Sequence, residues 1–193
     1  MTTAIAIDLL TQIIQLPACR KMNLSNVKGY LGELFVKERL ESEGQIVEHV
    51  GNQSGFDLRF AHGKCDIRID VKMSLLKDEF SWDFKYWGWA LKQESKKKPI
   101  TATHFVCVGC DENLAPKALF VVRAADVTQF PRGEKQFSKV QHGLILPPQP
   151  IASELLPQNS EIYLRSQVLL TQGIVTEVGL SSMLSEVLLS TVA

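Results

Sequence analysis

Two periods alternate along this chain. Between Thr3 and Leu16 apolar residues recur at helical spacing, broken by Asp8, Thr11, Gln12 and Gln15, and Pro17 stops the run. The pattern predicts a short amphipathic helix over 3–16. A second helix is predicted from about Val27 to Glu43. Its apolar stripe is Val27, Tyr30, Leu31, Leu34 and Phe35, and Lys37, Glu38, Glu41 and Glu43 fall mostly outside it. Ser25 and Asn26 can cap its start and Gly44 its end.

Beyond Gly44 the period shortens to that of strands. Gln45–Val50 reads as a first strand. Gly55–Phe60 and Cys65–Met73 read as a hairpin across Ala61-His-Gly-Lys64, with Thr103–Cys110 and Ala118–Arg123 as two further strands. Pro147, Pro148, Pro150 and Pro157 mark a connector between Leu146 and Asn159. A strand-like segment follows near Glu161–Leu170. The tail Val178–Val192 has helical spacing at Leu180, Met183, Leu184, Val187 and Leu188, and can pack on the core or join two copies. The organisation expected is an N-terminal helix over 1–24, a core over 25–145 and an extension over 146–193. The class is α/β, a four- to five-stranded mixed sheet flanked by helices.

Composition narrows the classes. With 193 residues, 45% hydrophobic and 22% charged, the chain can bury a real core and reads as globular, not disordered. Formal net charge is zero, so any nucleic-acid contact must come from local basic patches. Cys19, Cys65, Cys107 and Cys110 do not form a secreted disulfide framework, and Cys107 and Cys110 read as small buried strand residues. The apolar N-terminus lacks the basic start and unbroken run of a signal peptide, and no stretch is long enough to span a membrane. A cytoplasmic location is expected.

The chemistry lies in the hairpin. Side chains alternate along a strand, so Phe56, Leu58 and Phe60 share one face, as do Cys65, Ile67, Ile69, Val71 and Met73. With His62-Gly63 as the two-residue turn, Leu58 lies opposite Ile67 and Phe56 opposite Ile69, and the two apolar faces coincide. The other face then carries Asp57, Asp66, Arg68, Asp70 and Lys72. Asp57 is opposite Arg68 and diagonal to Asp70, within reach of one shared ion. Two carboxylates can hold Mg²⁺ with several of its waters, and Lys72 can stabilise charge that develops on a phosphate. From the second helix, Glu33 at the flank of the stripe can reach the sheet edge. Gly29 and Gly32 beside it suggest close backbone approach, to the sheet or to a phosphate.

Gly29-Tyr-Leu-Gly-Glu33 on a helix, then Asp57, then Asp70-Val-Lys72 on a strand, resembles the PD-(D/E)XK nuclease superfamily, which includes Holliday-junction resolvases and restriction enzymes. The resemblance covers roughly residues 25–125. It implies a restriction-endonuclease-like core and a Mg²⁺ site (Mn²⁺ can substitute) on Asp57 and Asp70. Lys72 would be catalytic, and Glu33 a further metal-site or water-positioning group. It also implies a DNA substrate, in restriction and defence or in junction and repair, and allows a homodimer. Phe56 stands where the named motif has proline. Asp-x-Lys alone occurs by chance in a chain of this length, so specificity comes from the order of the motifs, the shared face and the Gly-x-x-Gly-Glu helix.

Other residues have both a functional and an ordinary reading. Arg68 can hold a phosphate or pair with Asp57. Ser74 can touch a substrate backbone or be a strand-end hydroxyl. Lys96, Lys97 and Lys98 can track phosphates or simply be solvated. The rings between Phe80 and Trp89 suit base stacking, but a core-facing cluster is the more ordinary role. The site itself has two alternatives: a solvated face of ordinary ion pairs, or the same fold used to bind nucleic acid or a protein without cutting.

Overall fold

The structure is a computed structural model. It describes residues 2–19, 24–50, 55–78, 84–93, 101–129, 141–149, 151, 161–178 and 183–192. The elements are α1 (Thr3–Gln15), α2 (Ser25–Ser42), β1 (Glu48–His49), β2 (Leu58–His62), β3 (Cys65–Leu75), β4 (Trp87–Gln93), β5 (His104–Cys110), β6 (Pro116–Arg123), β7 (Gln141–Leu146), α3 (Glu161–Thr171), β8 (Val175–Val178) and α4 (Met183–Val192). Six strands form one mixed sheet in the order β1-β2-β3-β5-β6-β8, and β4 and β7 form a separate pair. Only β3 and β5 run parallel; the other neighbours in the main sheet are antiparallel. The class is α/β with a mixed sheet flanked by helices, as expected. The short edge strands β1 and β8 bring the count to six.

The central strand β5 is buried along its whole length, so the sheet has two dry faces. On one face Ile67, Ile69, Val71, Val106 and Val108 pack against Val36 and Leu40 of α2 and Met183 and Val187 of α4. On the other, Phe105, Cys107, Phe120 and Val122 meet Trp87 and Trp89 of β4, Leu144 and Leu146 of β7 and Leu169 of α3. Each fully buried aliphatic or aromatic side chain here contributes about 1.5–3 kcal/mol. The aromatic segment is therefore core where it is described: Trp87 and Trp89 are 4% and 2% exposed, and their indole N–H groups donate to the carbonyls of Cys110 and Val108. Cys107 and Cys110 are buried strand residues, as expected, and burial pushes both thiols well above the ordinary range.

Three local expectations are corrected. First, Glu161–Thr171 is a helix, not a strand. Tyr163, Ser166 and Leu169 are buried while Leu164 and Val168 are about half exposed, the spacing of a one-sided helix. The buried Ser166 Oγ accepts the Ile145 N–H at 3.1 Å, so contact with β7 selects the helical form. Second, α2 begins at Ser25 with Leu24 at the cap position and no side-chain cap bond. Its other end is as expected. Gly44, at φ 86°, donates to the Glu41 carbonyl, and Gln45 N–H donates to Leu40, both at 3.0 Å, a Schellman ending.

Third, the hairpin turns at Gly63-Lys64, not His62-Gly63. The pairs are His62↔Cys65, Phe60↔Ile67 and Leu58↔Ile69. Gly63 has φ 59°, at the position where a II′ turn takes glycine. A slip of one residue would have turned every side chain over. This slip is of two, so the faces are preserved and only the neighbours change.

The C-terminal segments join the same body. β8 pairs with β6, and the Glu43 carboxylate at the end of α2 accepts N–H groups of Met183 and Leu184 at 2.9 and 2.7 Å, capping α4 from across the sequence. Among the described residues no helix is long and apolar enough to cross a membrane.

Gly109 is a close-packing point between the layers. A Cβ built there lies 2.6–3.0 Å from the Trp87 ring. Gly109→Ala is expected to cost about 1–3 kcal/mol in chemical denaturation, and Trp87→Leu in the same chain to cost less than it does alone. Additive losses would show that the two do not press on each other.

Candidate active site

β3 carries the site because of its alternation. Ile69 and Val71 point into the core under α2, which leaves Asp70 and Lys72 on the opposite face. The covering pair β4–β7 leaves this stretch of β3 partly open: side chains of Asp70 and Lys72 are 16% and 33% exposed.

Asp57 lies just before β2, where the hairpin ladder ends, and three bonds hold it. Its N–H donates to the Ile69 carbonyl at 2.8 Å, and its carbonyl accepts the Val50 N–H at 2.8 Å. Its Oδ2 accepts the Val71 N–H at 2.7 Å. The expected placement opposite Arg68 is corrected, since Arg68 pairs with Arg59. The two-residue slip instead brings Asp57 directly against Asp70–Val71. Asp57 lies close enough to Asp70 to disfavour its ionised form.

Burial is the main force on Asp70 and pushes its carboxyl up to about 6. The charge and hydrogen bond of Lys72 oppose this, and Asp57 adds to it. Lys72 Nζ donates to Asp70 Oδ1 and is the pair's counter-charge.

α2 closes the other wall. Gly32 lets the helix sit on β3, since a Cβ there would lie 2.8 Å from the Met73 Cβ. The next residue, Glu33, projects to the mouth of an open cleft of about 390 Å³, which Ser25, Asn26, Gly29, Asp57 and Lys72 also line. A Cβ at Gly29 would meet nothing within 4 Å, so Gly29 serves the cleft and Gly32 the sheet. Glu33 Oε2 takes a 2.5 Å hydrogen bond from His49 Nε2. Burial raises the Glu33 pKa, with Asp57 adding to this and His49 and Lys72 opposing it.

His49 is the member that sequence reasoning missed. It lies on the two-residue strand β1, sixteen positions from Glu33, and the Tyr30 ring packs edge-on to it at 5.1 Å. No local spacing links a helix residue to a strand across a turn, so the sequence carries no signal for the pair.

Of the remaining expected residues, Arg68 lies on the Asp70 face. Its guanidinium is 5.9 Å from the Phe56 ring centroid and its Nε is 3.8 Å from Asp66, which also pairs with Arg59 at 2.7 Å. Arg68 does not pair with Asp57. Ser74 is 6% exposed, accepts the Gly88 N–H and donates to the Leu75 carbonyl, both at 3.1 Å. Its hydroxyl joins β3 to β4 and is not brought to the cleft. Lys96, Lys97 and Lys98 lie outside the described residues.

A divalent cation fits the acidic pair. Two carboxylates pressed together, one forced toward its protonated form, are relieved by a cation between them. Among the described residues no three acidic, histidine or cysteine side chains converge as a ligand cluster. Mg²⁺ does not require three, because it keeps several waters and binds through one or two carboxylates.

No family model and no curated protein matches the chain. Among solved structures, a bacterial homing endonuclease superposes with a TM-score of 0.47 at 14% identity, over 79% of this chain and 95% of the other. A superposition that loose carries no argument about chemistry, which rests on the side chains.

The Asp70 shift has a sign that can be measured. Its carboxyl titrates near 6 in the folded protein against the usual 3.8, so below 3.8 it is neutral in both states and costs nothing. The penalty builds as pH rises from 3.8 to about 6 and is complete above that. In EDTA at pH 7, Asp70→Asn is therefore expected to stabilise the protein by roughly 1–3 kcal/mol, with the gain gone by about pH 4. Buried His104, pushed down to about 4, acts in the opposite direction over the same range, but it is common to both proteins and cancels in the difference. A variant less stable than wild type at pH 7 would refute the account.

Proposed function

We propose that this protein is a divalent-cation-dependent nuclease that hydrolyses phosphodiester bonds in DNA. The observation that carries the reading is the Asp57–Asp70 carboxyl pair with Lys72 beside it, of which Asp57 and Lys72 line an open cleft whose other wall bears Glu33. A structural ion pair would not need the second carboxylate: Asp70 and Lys72 already balance, and a neutral acceptor could take the Val71 N–H without the repulsion that Asp57 adds. The order of these residues along the chain, and their resemblance to the PD-(D/E)XK superfamily, support the choice of reaction and of DNA.

Asp57 and Asp70 would hold Mg²⁺ or Mn²⁺, which when bound neutralises phosphate charge and makes a water more acidic. Asp57 is fixed for this by three backbone bonds and needs no reorganisation. Lys72 presents its ammonium from the same face to the charge that develops on the reacting phosphate. Glu33, facing the cleft with a raised pKa, orients the attacking water and can take its proton. Arg68, near the pair on the same face, offers a further phosphate contact, and Gly29 leaves the helix backbone open to a strand of nucleic acid. A restriction or defence role and a junction or repair role both fit this chemistry. Pairing of two copies in the cytoplasm is part of the same proposal, and light scattering checks the pairing.

Supercoiled plasmid, a four-way junction and single-stranded DNA, each with Mg²⁺, Mn²⁺ or EDTA, test the reading. Metal-dependent cleavage is expected, with Asp70→Asn and Lys72→Ala each slower by on the order of 100-fold or more. Asp70→Asn is the decisive variant because it is expected to fold more stably than wild type. Cleavage that persists in EDTA, or an Asp70→Asn protein as active as wild type, would overturn the assignment.

A further inference from the structure

The acidic residues at the cleft are not equivalent. The hairpin register sets Asp57 against Asp70, whereas Glu33 is turned to His49, and no third ligand joins the pair among the described residues. β1 makes this division. Its His49 side chain grips Glu33 at 2.5 Å, and the next residue, Val50, donates its N–H to the Asp57 carbonyl at 2.8 Å. His49 of this edge strand and Val50 just after it thus fix two acids from different elements. The imidazole is itself held, since Tyr30, one turn before Glu33 on α2, meets it edge-on at 5.1 Å with the rings 83° apart. His49 pairs in register with Leu58, the residue after Asp57, so the whole assembly has one frame.

We propose that His49 is a positioning residue that holds Glu33 apart from the Asp57–Asp70 pair, so that the cation is bound by the two aspartates alone and Glu33 acts on the attacking water. The inference rests on the nuclease reading for the reaction, but the separation of Glu33 from the cation can be measured without catalysis. The carboxylate has two oxygens, and His49 occupies Oε2. The bond limits how far Glu33 can swing toward the aspartates and leaves its other oxygen to the cleft. A residue needed only to fold β1 would act on stability and not on the orientation of Glu33.

The test has two arms. In the first, Mn²⁺ alone is titrated calorimetrically into wild type, Asp70→Asn, Glu33→Gln and His49→Ala. Asp70→Asn is expected to lose affinity by at least about 10-fold, and Glu33→Gln and His49→Ala to stay within about twofold of wild type. In the second, plasmid cleavage is followed at saturating Mn²⁺. His49→Ala is expected to lower kcat by about 10- to 100-fold with KM unchanged, and His49→Gln, whose side-chain amide can still donate to Glu33, to recover most of that loss. Glu33→Gln should match His49→Ala, and the double variant should be no worse than either. Loss of Mn²⁺ binding in Glu33→Gln comparable to Asp70→Asn would overturn the proposal by making Glu33 a ligand. So would full turnover in His49→Ala, or a His49→Gln protein as slow as His49→Ala. A wild-type protein that binds Mn²⁺ in this pattern but cuts no DNA would instead sink the nuclease reading and leave the separation of Glu33 from the cation standing.

Discussion

The hydrogen bond from the Val71 N–H to Asp57 Oδ2 organises this protein. At 2.7 Å and buried, it ties a carboxylate to a backbone donor of β3 at the point where the β2–β3 ladder ends. A backbone N–H there would otherwise need a partner or lose on the order of 1–3 kcal/mol. Supplying that partner as a carboxylate places a second acid against Asp70, whose position on β3 is set by alternation. The bond therefore serves the sheet locally and sets a second carboxylate against Asp70 in a conflict of charge.

The rest of the architecture makes that conflict tolerable. β3 is flanked by β2 and β5, and its apolar side chains lie in the core beneath α2 and α4. On the opposite face the β4–β7 pair and α3 cover β5 and β6 with indole and aliphatic groups. That cover dries Asp70 enough to raise its pKa, yet leaves Lys72 a third exposed at the cleft. Burial near a polar cluster is normally destabilising unless paired, and Lys72 compensates only in part. Perturbed carboxyl groups of this kind cluster at functional sites.

Much of this was legible in the residues. Period-two alternation gave the two faces of the hairpin, and with them the convergence of Asp57, Asp70 and Lys72. Those conclusions survived a wrong turn because the error was two residues and parity was kept. The glycine pair was also legible as close approach, although only the structure separates Gly32, against Met73, from Gly29, open to the cleft. The segment Glu161–Leu170 was not legible, since a short apolar run fits a strand or a helix until its neighbour is known. Here the neighbour is β7, whose Ile145 N–H reaches the Ser166 hydroxyl.

The sequence by itself determined which side chains share a face, because alternation is a property of the local backbone and needs no partner. It also determined where α2 ends, because Gly44 takes a positive φ that few other residues accept. Only the tertiary structure decided which face-sharing residues touch. Asp57 meets Asp70 rather than Arg68 because the Gly63-Lys64 turn sets the register, and Glu33 meets His49 because α2 and β1 are brought together by packing. Contacts between elements depend on distances that no local period encodes, and the candidate site is made of such contacts.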